Sequence, residues 1–147
     1  MSDHHDNEGL IRRLSMEATG AAALVGVGLR GKPASSVEAN GIKVYPTQVL
    51  KDLSSETDAL VKESKILKDK PIDHDSRITA VHFESQIELS VAEGETMNII
   101  PVHYKDGTEP QVGGESIMPG NYAHLESGTR VSVEPDFHAV IVVSRLD

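Results

Sequence analysis

The chain has 147 residues, no cysteine, no tryptophan and a formal net charge of −9. Without cysteine it can form neither disulfides nor thiolate metal sites, and its acidic balance argues against direct binding to nucleic acid, where counterion release needs a basic surface. The charge is unevenly spread: residues 1–70 carry ten acidic and ten basic side chains, while residues 71–147 carry thirteen and four, together with four of the five aromatic residues. The chain therefore divides into an N-terminal arm with helical segments, residues 1–70, and an acidic β domain, residues 71–147.

Residues 1–9 are polar and read as solvated. Leu10, Ile11, Leu14 and Met16 suit one or two helical turns. Gly20, Gly26, Gly28 and Gly31 then argue against a helix running through residue 31, since each costs roughly 1 kcal/mol inside a helix. The expectation is a frayed helix, or a run of small residues lying flat on a neighbour. Residues 18–29 are too few to cross a bilayer, which takes about 20 apolar residues. The acidic, polar opening Ser2 to Glu8 is unlike the basic start of a signal peptide. No signal peptide or transmembrane segment is expected, and the assigned location is the virion or the cytoplasm. Arg12, Arg13, Arg30 and Lys32 make a mildly basic stretch that nearby acids dilute.

Pro33 to Ser36 is linker-like. Residues 41–45 alternate briefly as a short strand that Pro46 stops, and Thr47 can cap a helix through Leu53 with Val49, Leu50 and Leu53 on one face. Ser55 with Asp58 offers a second helix start. Leu60, Val61 and Leu67 then form a narrow apolar stripe ending at Pro71, the pattern of a partner-facing or loosely docked helix.

After Pro71 the apolar period changes to two. Strands are predicted at residues 77–84, 86–91, 95–104, 122–125, 129–134 and 137–145. Turns fall at Lys105-Asp106-Gly107 and Pro119-Gly120-Asn121, and residues 111–114 read as loop. The cadence predicts a mainly β, overall α+β chain: an antiparallel β-sandwich or small β-barrel or jelly roll behind an arm with short helices. The last strand is apolar on both faces and is expected at the sheet centre. Gly94, Pro101 and His103 are echoed by Gly128, Pro135 and His138, a weak internal repeat.

Four strand histidines, His82, His103, His124 and His138, could converge on a metal. Residues 113–124 partly resemble the second motif of cupins, small β-barrels that often bind a metal. Gly113, Pro119 and His124 fall at that family's offsets, Gly120 stands one place early, and His82-Phe83-Glu84 lacks the second histidine of the first motif. Asp73-His74-Asp75 reads as a solvated turn. Neither a Gly-x-Ser-x-Gly elbow nor a phosphate-binding glycine loop occurs.

These features point to a non-enzymatic structural or assembly protein. Its β domain would be ordered within a multi-subunit complex, and its arm would clamp neighbouring protein subunits in a homo- or hetero-oligomer. The specific expectation is a phage virion component, such as a capsid decoration, cement or connector protein, with no cofactor, no nucleic acid and no membrane partner. The contact residues expected are Leu10, Ile11, Leu14, Leu24, Val25, Val27, Leu29, Leu60 and Leu67. The alternative is a cupin-like metal-binding enzyme or sensor using His82, His103, His124 and His138.

Overall fold

The computed structural model describes residues 10–30, 42–68 and 77–145. In chain order these form β1 (Ile11–Arg13), α1 (Met16–Leu29), β2 (Ile42–Val44), α2 (Thr47–Lys51), α3 (Ser54–Lys68), β3 (Arg77–Phe83), β4 (Ile87–Ser90), β5 (Glu95–Tyr104), β6 (Gln111–Val112), β7 (Glu115–Ser116), β8 (Asn121–Leu125), β9 (Arg130–Glu134) and β10 (Phe137–Arg145). The protein is mainly β, with two antiparallel sheets and short N-terminal helices.

Period-two alternation sends one face of each strand inward, and the turns close the ladders into two sheets. One has the order β1-β8-β5-β10-β3-β2 and the other β4-β9-β6-β7. From β3 onward the first strand pairs with the eighth, the second with the seventh, the third with the sixth and the fourth with the fifth, which is jelly-roll connectivity. β10 lies between β5 and β3, and its near-continuous apolar run is covered by the four-stranded sheet on one face and by the helices on the other.

Between the sheets, Phe83, Phe137, Ile99, Val112, Leu125 and Val133 form a closed apolar core. Phe83 and Phe137 are cross-strand partners whose rings meet at 4.9 Å. The outer face of the six-stranded sheet carries a second core, where Ala80, Ile100, Val102, Val140 and Val142 meet Ala18, Ala22, Val25, Leu29, Leu50 and Leu60 from the helices. The protein is thus three layers: helices, six-stranded sheet, four-stranded sheet.

The first half departs from its expected local structure. Residues 11–13 are not helical but pair with β8, Ile11 opposite Ala123, so tertiary hydrogen bonding overrides a short helical pattern. The helix begins afterwards, where the Ser15 hydroxyl accepts from the Ala18 amide, and runs unbroken to Leu29. Its glycines are tolerated because one of them lets the helix approach the sheet closely. A Cβ on Gly26 would collide with the Val102 carbonyl, whereas Gly20 has nothing within 4 Å. Of the narrow stripe on α3, Leu60 is wholly buried against the core around α1, and Val61 is partly buried. The predicted loop at residues 111–114 contains β6 and the tight turn into β7, too short for any alternation to show. The linker at residues 33–36 and Asp73-His74-Asp75 lie outside the described residues, as does the side chain of Leu67.

Candidate functional sites: a two-faced helix and a histidine cluster

The expected contact residues separate into two sets. Leu14, Val25, Leu29 and Leu60 are buried in the chain's own core, and Leu10 and Ile11 pack partly buried against the inter-sheet core. The weakly hydrophobic arm therefore takes its supporting surface from its own sheet. Leu24 and Val27 behave differently, at 53% and 58% exposed, with Met16 at 92%. Among the described residues only one other large apolar side chain, Met118, is comparably exposed.

At 100° per residue, Ala18, Ala21, Ala22, Val25 and Leu29 fall on one side of α1, while Met16, Gly20, Ala23, Leu24 and Val27 fall on the other. Both sides are apolar, and Glu17 is the only charged residue in the helix. A surface helix with one docked face normally carries polar residues opposite. This one does not.

The second feature lies on the outer face of the six-stranded sheet, at the end of β10 that begins at Phe137. His82 and Phe83 at the end of β3, with Glu84 directly after them, run antiparallel to Phe137 and His138 at the start of β10, with Asp136 directly before them; His82 lies opposite His138 and Phe83 opposite Phe137. Side chains two apart in a strand share a face, so both phenylalanines enter the core and all four polar residues face outward together. On the other side of β10, His103 pairs with His138 while Ala139 pairs with Pro101, so the ladder skips Val102. That bulge turns His103 outward beside His138.

Within this group the His82 Nε2 lies 2.7 Å from Asp136 Oδ1, and its Nδ1 lies 3.9 Å from a Glu84 oxygen. Lys43 Nζ reaches the same Glu84 oxygen at 2.9 Å. The His82 and His138 rings stack at 3.9 Å with 13° between planes, and His103 stands 5.6 Å from His138, ring to ring. The Tyr45 hydroxyl, brought in where β2 gives way to α2, lies 2.8 Å from His138 Nδ1. Burial, reinforced by His82 and His103, lowers the His138 pKa to about 4 against the opposing pull of Asp136 and Glu84. Burial also raises the pKa of Tyr45, which stays a neutral phenol. The cluster opens to a cavity of about 590 Å³ rimmed by Tyr104, Lys105 and Asp106.

Of the four predicted histidines, three come together and one does not. His124 bonds Asn98 Oδ1 at 2.7 Å and pairs with that residue of β5, which in turn pairs with Val142, so His124 stands two strands across and four residues along from His138, roughly 16 Å away. None of the four points into the jelly-roll interior, which is filled by apolar side chains. Asp136, Tyr45 and Lys43 were not anticipated. The Asp-x-His spacing of Asp136 and His138 was a usable signal, since such a pair shares a strand face; the Tyr45 contact spans 93 residues and had none.

The chain matches no protein-family model and no curated protein sequence. No helix among the described residues is long and apolar enough to cross a membrane.

Proposed function

We propose that the protein is a non-enzymatic structural subunit that assembles with further copies of itself through the outward face of α1. The observation that carries this reading is the concentration of exposed apolar side chains. Three of the four large ones among the described residues occupy a single stripe of one helix.

The spacing of the stripe suits a second helix of the same kind. Met16, Gly20, Ala23 and Val27 follow steps of four, three and four, the seam of a helix pair, and the two small residues at its middle allow backbones to approach. With Glu17 as its only charge, α1 is also where two chains of net charge −9 meet with least repulsion. The sheet edges suit association less well. β1 and β2 are three residues each, β7 is two, and β4 presents Glu88 paired with Arg130. The finer expectation of a virion decoration or connector protein rests on analogy, since viral shell proteins also use jelly rolls.

Sedimentation velocity over about a hundredfold concentration range tests the reading, because self-association is governed by mass action. The chain should shift from monomer to oligomer, and Leu24→Glu combined with Val27→Glu should weaken association at least about tenfold. Both side chains are exposed, so the variant should keep the wild-type circular dichroism. A monomer at every concentration, or association indifferent to the substitutions, would refute it.

A further inference from the structure

We propose that His82, Asp136 and His138 form a binding site for one divalent transition-metal ion of the zinc class. This is independent of the assembly reading, since the site lies on β3 and at the start of β10, while the proposed contact face is on α1.

The donor set selects the metal. Two imidazoles and one carboxylate suit zinc, cobalt, nickel, copper or iron, whereas magnesium and calcium favour oxygen ligands. One ligand atom from each of the three residues lies within 4.8 Å of the others. In a tetrahedral site with bonds of about 2.0 Å the ligand atoms stand about 3.3 Å apart. His82 and Asp136 are already inside that separation at 2.7 Å. The two rings, stacked at 13°, must tilt towards one another for their in-plane lone pairs to converge on one ion.

The surroundings supply what a metal-binding histidine needs at its other nitrogen. Such ligands are oriented by a partner on the far side of the ring. Tyr45 holds Nδ1 of His138 at 2.8 Å and so leaves Nε2 free. Glu84, bonded to Lys43, stands 3.9 Å from Nδ1 of His82, a carboxylate near the far side of that ring but beyond hydrogen-bond distance, while Nε2 lies beside Asp136. A simple His–Asp ion pair would account for His82 and Asp136. It gives no reason for a second imidazole, buttressed from behind, at stacking distance. Two carboxylates and an open cavity supply attraction and an entry path.

The test uses the untagged full chain, stripped with chelator and titrated with Co²⁺, whose visible absorption reports tetrahedral nitrogen and oxygen coordination; Zn²⁺ is then added as competitor. The expected result is about one Co²⁺ per chain, displaced by Zn²⁺. Asp136→Asn and His138→Ala should each weaken binding at least about tenfold, and Tyr45→Phe about tenfold through loss of the ring's orientation. His124→Ala, and His4→Ala with His5→Ala, should leave it unchanged. In the unmutated chain, Zn²⁺ should shift the imidazole ¹⁵N resonances of His82 and His138 and not that of His124, a readout that does not depend on any variant folding. Absence of binding overturns the proposal. So does binding that survives both Asp136→Asn and His138→Ala, or that is lost with His124 or with the two N-terminal histidines.

Discussion

The docking of α1 makes opposite predictions for one substitution at two places in one helix. Glycine to alanine in an exposed helix interior is worth up to about 1 kcal/mol of added stability. At Gly20 a Cβ meets nothing within 4 Å, so Gly20→Ala should be stabilising by about 0.5–1 kcal/mol. At Gly26 the new methyl collides with the backbone carbonyl of Val102, at the bulge of the central sheet. Backbone there cannot swing aside, so α1 must lift from the core that Val25 and Leu29 occupy. Overpacking of this kind costs about 1–3 kcal/mol or more and outweighs the gain in propensity, so Gly26→Ala should be net destabilising by about 1–2 kcal/mol. Gly28 falls between them, because a Cβ there lies 2.7 Å from a methyl of Leu53, the end of a flexible side chain. Urea unfolding at concentrations where the chain is monomeric provides the assay, read as the midpoint at constant slope. If Gly26→Ala proved as stable as Gly20→Ala, close docking of α1 on β5 would be wrong, and with it the assignment of one helix face to the core.

Further outcomes follow from the sheet. His138 titrates near 4 in the folded chain against 6.5 when unfolded, so between these values the unfolded chain binds more protons and stability falls as pH drops. Full burial would make this about 3 kcal/mol, and solvent access to the half-buried ring reduces it to about 1–2 kcal/mol. Urea midpoints from pH 7 to pH 5 should therefore decline, and His138→Gln should flatten the decline; the groups facing the ring are His82, His103, Asp136, Glu84 and Tyr45. An unchanged slope in that variant would remove His138 as its origin. Phe137→Ala empties a fully buried site against Phe83 and should cost about 3–5 kcal/mol, enough to lower the thermal midpoint steeply. A loss below about 1 kcal/mol would mean that the inter-sheet core is not packed as described.

The jelly roll was largely legible in the chain because strand alternation is a local property that survives without knowledge of neighbours. The predicted strands at residues 95–104 and 137–145 coincide with β5 and β10, and β10 takes the central place its two apolar faces implied. Residues 11–13 misled because three residues show no period, and their state is set by the partner edge of β8. The unbroken helix over Gly26 was hidden for a related reason: its glycine is disfavoured locally and required only by the sheet against it.

By itself the sequence determined the absence of thiol chemistry, the acidic balance, the β cadence of the second half and the apolar character of α1, all of which follow from residue type and spacing alone. Register and layering were decided by the tertiary structure. Ladder pairing placed His82, His103 and His138 together and left His124 apart, and docking assigned Val25 to the core and Val27 to the surface. Spacing tells which residues share a face of one element, but which faces meet depends on contacts between segments dozens of residues apart.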